Sequence, residues 1–317
     1  PGGATVRSCA TESGCCLCSP SGCSINNCSR TGSWENRIET AAPGDTVLLE
    51  AGTYTPSDGA VVVASGASGR PVTVANNGGG AVTVNGSLRF QNGSAVVEGI
   101  AFHADSASYV VVMDRTGTPP IANVMLRHLE LQGGTSDGVR INANVSNVLI
   151  DGCTIDGGQA HHAMKVRRGD TTAEPTSCTW APSQITISNN RFSKNHFGTL
   201  SEDLLQVEGG GPGIVIEQND FDNNPNGEDC TDIKGEGTPG ADLTIRMNRI
   251  SAAGCKSEGL LLQGNHSGNV VIERNYIVGR VGASDGMSIG AHTSNPTALI
   301  RNNVFDQGWL RLRRGHD

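Results

Sequence analysis

Aromatic side chains are scarce in this sequence, and so are hydrophobic ones. Of its 317 residues only 4% are aromatic and 36% hydrophobic. That is thin for a conventional core but above the level at which a chain stays disordered. No apolar run approaches the ~20 residues of a membrane-spanning helix. No basic and apolar leader precedes Pro1, so the expectation is a chain without a membrane span whose signal peptide has been removed. The formal charge is −8, and no basic tail or stripe interrupts the acidic groups. Nucleic acid is therefore not an expected partner.

Glycine and cysteine are plentiful instead, at 43 and 10 residues. Cys9, Cys15, Cys16, Cys18, Cys23 and Cys28 crowd a segment with almost no apolar side chains. No Cys-x-x-Cys pair repeats there at zinc-ligand spacing, so disulfides are favoured over a metal. Residues 1–32 are accordingly expected to be a disulfide-bonded segment ahead of a domain spanning 33–317, in a secreted, extracellular protein. Two further pairs are compatible with bonds, Cys230 with Cys255 and Cys153 with Cys178.

From residue 185 onward the chain repeats itself. ITISNNRF, IVIEQNDF, LTIRMNRI, VVIERNYI and ALIRNNVF begin at Ile185, Ile214, Leu243, Val270 and Ala298, with weaker copies upstream. Such a period marks a solenoid whose units bury their apolar faces only by stacking. Each unit holds two short alternating apolar runs separated by turn residues and shows no helical period. Strands without intervening helices leave an all-β, single-stranded parallel β-helix with coils of about 24–29 residues. Asn190, Asn219, Asn248, Asn275 and Asn303 recur where each run ends. There an Asn suits a left-handed corner, and stacked amides can form a ladder. Within residues 33–42, SWENRIETAA, the positions Trp34, Ile38 and Ala41 fall on one face of a short helix. That helix is expected to cap the first coil. The last repeat ends in LRLRRGHD with no recognisable cap, so self-association or a further domain is expected at that end.

The second strand of each unit carries the chemistry. SDGVRIN, HHAMKVRRG, EDLLQVEGG, EDCTDIKGEG and SEGLLLQG align behind the Asn corner. Period-2 parity then points Arg140, Lys165, Arg167, Gln206, Glu208, Asp232, Lys234 and Gln263 outward on one face. The turns ahead of these strands add Asp137, His162, Asp203, Glu228, Asp229 and Glu258. Asp203, Glu228, Asp229 and Asp232 fall on adjacent coils about 4.8 Å apart, where they repel unless a cation lies among them. Hard carboxylate oxygens at several heights, without Cys or His in the set, suit Ca²⁺. His161 and His162 form a pair of a kind usually solvated in a turn.

These residues are similar to those of the right-handed parallel β-helix polysaccharide lyases, most closely the pectate lyases of polysaccharide lyase family 9. There the calcium site is an Asp followed, one coil later, by an Asp-Asp-x-x-Asp cluster. Asp203 matches the first, and Glu228, Asp229 and Asp232 match the cluster, with Glu in place of its first Asp. AAPGDTVLLEAGTYT, residues 41–55, looks like the opening coil of the same superfamily. The resemblance implies a calcium-dependent lyase that cleaves a uronate-containing, pectate-like acidic polysaccharide by β-elimination. It implies a catalytic Lys downstream of the cluster, where Lys256 is the nearest match and Lys234 lies on the cluster's own strand. Lys165, Arg167, Gln206, Glu208 and Gln263 become substrate contacts. Two readings of other kinds stand beside it. One is a metal-independent β-helix glycoside hydrolase using Asp203, Asp229 and Asp232. The other is a non-catalytic structural, filament or glycan-binding β-helix.

Overall fold

The computed structural model describes residues 15–19, 21–24, 33–114, 120–168, 181–193, 202–222, 224, 227–239, 242–251, 255, 258–279, 287–290, 297–307 and 310–313. The alternating runs become strands because each half-turn can bury every second side chain and expose the next. The pattern is plain in Gly93–Glu98 and Ile214–Glu217, where buried and partly exposed residues alternate. Three strands per coil stack in parallel on those of the next coil, giving sheets of 12, 10 and 10 strands. We call them sheets A, B and C, visited in that order. The interior is one column of Val, Ile and Leu, with Phe192 and Phe221 stacked 4.7 Å apart between coils. Each fully buried aliphatic side chain contributes roughly 1.5–3 kcal/mol, so small side chains at many rungs replace the aromatic bulk that the composition lacks.

Strand Cys15–Ser19 pairs in parallel with Thr46–Leu49, and Gly22–Ser24 folds back on it in antiparallel. The described part of the cysteine-rich segment thus extends sheet A. Cys16 and Cys18 are both fully buried and disulfide-bonded. The cap helix forms at Trp34–Glu39, where the Ser33 hydroxyl accepts the Asn36 amide as its N-cap. Trp34, Ile38 and Ala41 are all buried, and Trp34 meets the Tyr54 ring edge-on at 5.1 Å. The helix packs on Ala60–Val63 at the first rung of sheet C.

The asparagine ladder forms as expected, with one correction. Asn219 Nδ2 donates to the Ile187 carbonyl at 2.9 Å and to Asn248 Oδ1 at 3.1 Å, and its backbone amide donates to the same Oδ1 at 2.9 Å. Asn190, Asn248 and Asn275 repeat this arrangement. The left-handed corner, however, is the residue before each ladder Asn: Asn189, Gln218, Met247, Arg274 and Asn302, with φ between 55° and 57°. The ladder needs its side chain turned inward, which leaves the positive φ to the preceding, exposed residue. Cys230 and Cys255 form a disulfide between neighbouring coils. Cys153 does not close the insertion after residue 168. It is a free, buried thiol whose Sγ faces the Leu126 and Asp151 carbonyls inside the coil, while Cys178 lies outside the described residues.

Candidate functional site

Parity on sheet C holds rung by rung. Arg140, Lys165, Gln206, Asp232 and Leu261 are consecutive partners in one outward column. Arg167, Glu208, Lys234 and Gln263 form the next. Beside them the turns stack Asp137, His162, Asp203, Asp229 and Glu258, all buried. Three of these carboxylates bind the following coil directly. Asp137 Oδ1 accepts the His162 amide at 3.1 Å, Asp203 Oδ1 the Asp229 amide at 3.1 Å, and Asp229 Oδ1 the Glu258 amide at 2.8 Å. Backbone pairing between coils therefore fixes where the acids stand.

Asp203, Asp229 and Asp232 converge, with ligand oxygens within 4.8 Å of one another. Gln206 Nε2 reaches Asp203 at 3.1 Å and Asp232 at 3.4 Å, Gln263 Nε2 reaches Asp232 at 3.2 Å, and Lys234 Nζ lies 2.9 Å from Asp232. Glu228 is exposed and is not among the three that meet. Lys256 lies outside the described residues.

Burial dominates the electrostatics of this cluster. It raises Asp203 to about 6, with the Asp232 charge adding to the effect. It also pushes Asp229 well up, assisted by the side-chain hydrogen bond between its carboxyl and that of Glu258 and opposed by the Glu258 backbone amide. For Lys234 burial favours the neutral amine, but the hydrogen bond and charge of Asp232 outweigh it and the lysine is held as an ammonium above its ordinary value. Asp232 and Asp203 thus face Lys234, Asp203 meets one edge of His162, and Asp229 and Glu258 are buried in the same turn column. The donor set fits a hard divalent cation. It is all oxygen, it is short of positive charge, and Asp203 and Asp229 each commit only one oxygen to backbone.

Upstream on the same face lies a cleft of about 320 Å³. Tyr109, Arg140, His161, Lys165, Arg167 and Glu202 line it, above Asp137 and His162. The expectation of solvated histidines holds for His161, whose side chain is 49% exposed, and fails for His162, at 1%. His162 Nδ1 lies 2.9 Å from Asp137 Oδ1, and Nε2 lies 2.7 Å from Glu202 and 3.6 Å from Asp203. Burial disfavours its charge, but Asp137 and Glu202 outweigh that and raise its pKa, so the acid column favours the imidazolium form. The same contact holds Glu202 down at about 2. Arg140 pairs with Asp137, donates to Asn142 and lies over the Tyr109 ring. Lys165 and Arg167 share Glu208, at 2.9 and 3.7 Å. Of the five expected substrate contacts, Gln206 is occupied in orienting carboxylates and Glu208 in holding two cations. Arg140, His162 and Glu258, which the sequence places on this face without a role, join the site, as does Tyr109, which it does not single out.

A family model described as the right handed beta helix region matches residues 58–237, more than half of the chain. The chain belongs to that family of right-handed parallel β-helices. No curated protein sequence matches it. Among solved structures, an alginate lyase from Paenibacillus sp. str. FPU-7 superimposes with a TM-score of 0.71 at 16% identity, covering 97% of this chain and 99% of that one. A pectate lyase, Pel9A, gives 0.51 at 18% identity, over 96% and 78%. A GH136 lacto-N-biosidase from Eubacterium ramulus gives 0.54 at 14%, over 95% and 68%. At these identities the likeness is one of fold, and that fold carries both lyases and a glycosidase.

Proposed function

We propose that this protein is a secreted polysaccharide lyase that cleaves a uronate-containing glycan by β-elimination on the outer face of sheet C. One observation carries the reading: three buried, converging carboxylates stand on the same face as a cleft of cations, on neighbouring rungs. A polyanion needs both, because the acids hold it only through a metal whereas Arg and Lys hold it directly. Asp203, Asp229 and Asp232 would hold the ion, with Gln206 and Gln263 orienting them. Bound there, Ca²⁺ would neutralise a uronate carboxylate and acidify the proton on the carbon that bears it.

This chain's own residues do the rest. Arg140, Lys165 and Arg167 bind neighbouring carboxylates of an extended chain along the solenoid. Lys234 takes the proton, a role open to it only when Asp232 is engaged elsewhere, since their pairing keeps it an ammonium. The electron pair of the broken C–H bond becomes a carbon–carbon double bond, and the glycosidic oxygen leaves with a proton from solvent or a side chain. The test is product analysis by mass spectrometry on pectate, alginate and glycosaminoglycan oligomers. A lyase leaves unsaturated ends, whereas a product that has gained water contradicts the proposal.

A metal-independent hydrolase is the second reading, and Asp229 favours it. Burial and Glu258 keep that carboxyl protonated well above the usual carboxylate range, as a general acid requires. Saturated products in the presence of chelator would establish it.

A further inference from the structure

Asn224 belongs to no column of the solenoid and is fully buried. Its Nδ2 donates to two main-chain carbonyls on neighbouring coils, Glu202 at 2.6 Å and Asp229 at 3.1 Å. One carbonyl immediately precedes Asp203, and the other belongs to Asp229. A single planar amide therefore spans the two backbones whose carboxylates meet in the cluster. Its Oδ1 is buried without a partner, a cost that a merely space-filling residue would not carry.

The turn around it is built to keep that amide in place. The Asn224 carbonyl accepts the Gly227 amide at 3.2 Å. A Cβ at Gly227 would lie 2.0 Å from Asn224 Nδ2 and 2.2 Å from Oδ1, so no other residue fits beside it. Both ends of the turn are tied to the same point on the next coil. Asn224 bridges Cys255 through backbone, and Cys230 bonds it through sulfur. Asp229, one residue before Cys230, thus sits inside a closed ring.

We infer that Asn224 is a positioning residue that sets the gap between the Asp203 and Asp229 carboxylates and thereby the affinity of the cation site. The inference rests on the cation reading given above. Replacing the amide by Ala leaves the two carbonyls without a common donor and lets the coils shift, and groups that orient metal ligands typically govern affinity by 10- to 100-fold.

Isothermal titration calorimetry of the whole protein with CaCl₂ tests it, with thermal melting alongside. Asn224→Ala is expected to bind calcium at least about ten-fold more weakly than wild type. Gly227→Ala, which displaces the same amide, should weaken it in the same direction and serves if Asn224→Ala does not fold. Asn219→Ala breaks a buried amide ladder on sheet A and is expected to lower the melting temperature with calcium affinity unchanged. Asn224→Ala within two-fold of wild type overturns the inference, as does an equal loss in Asn219→Ala, which would make the effect one of general stability. A wild type that binds no calcium overturns the metal reading itself.

Discussion

Charge decides this protein residue by residue, and Asp137 is the clearest case. Burial would raise its carboxyl, yet the hydrogen bond and charge of His162 and the charge of Arg140 hold it at about 2. A carboxylate depressed from 3.8 to about 2 adds roughly 2 kcal/mol to stability above pH 4. That increment is lost as pH falls from about 4 to 2. Asp137→Asn should therefore be less stable than wild type at neutral pH, with the difference shrinking across that window; urea titrations at several pH values measure it. A difference independent of pH would show that the pair does not act through charge. At this scale the sequence was only partly legible. Parity located Lys165, Gln206, Asp232 and Lys234, because a period of two leaves no choice of face. A His pair in a turn is expected to be solvated, and nothing in the pair tells which ring turns inward, as that of His162 does. Asn224 carries no signal at all, since its partners are main-chain carbonyls, one of them on a neighbouring coil.

At the scale of elements, order and register followed from repetition. Each Asn corner fixes where one strand ends, and stacking fixes the rest, so the pairing of Leu205–Glu208 with Thr231–Pro239 was implicit in the alignment of two runs. The corner itself was misplaced by one residue because Met247 and Arg274 are not residues that announce a left-handed backbone. The ladder should matter energetically. Asn219→Ala removes four hydrogen bonds among buried groups, two that its Nδ2 donates and two that its Oδ1 accepts from Asn190, and is expected to cost about 2–3 kcal/mol or more, read from the denaturation midpoint. The Cys230–Cys255 bond closes a separation of 25 residues. Cys255→Ser should cost about 3 kcal/mol. A loss confined to reducing conditions in wild type, and absent in the variant, confirms the source.

For the molecule as a whole, the three sheets have different duties. Sheet A carries the ladder-bearing corners and, on its outer face, ion pairs such as Glu217 with Arg246 and Glu273 with Arg301. Sheet C presents the acids and the cationic cleft. The fold was legible because a solenoid writes its period into the chain; the chemistry was less so, because one fold serves lyases and a glycosidase alike and only side-chain geometry separates them. The excess of buried negative charge predicts a global response. Calcium should raise the melting temperature at neutral pH and chelator should reverse it, since a ligand bound only by the folded state stabilises that state.

The most direct test of the central claim is ultraviolet absorbance of the unsaturated uronate product, followed over time on uronate polymers with calcium and then with chelator. The account predicts a rise on at least one polymer that chelator abolishes, that Asp232→Ala removes and that Lys234→Ala reduces by several orders of magnitude, with Lys165→Ala acting chiefly on KM. A folded, calcium-loaded protein that gives no rise on any uronate polymer contradicts it.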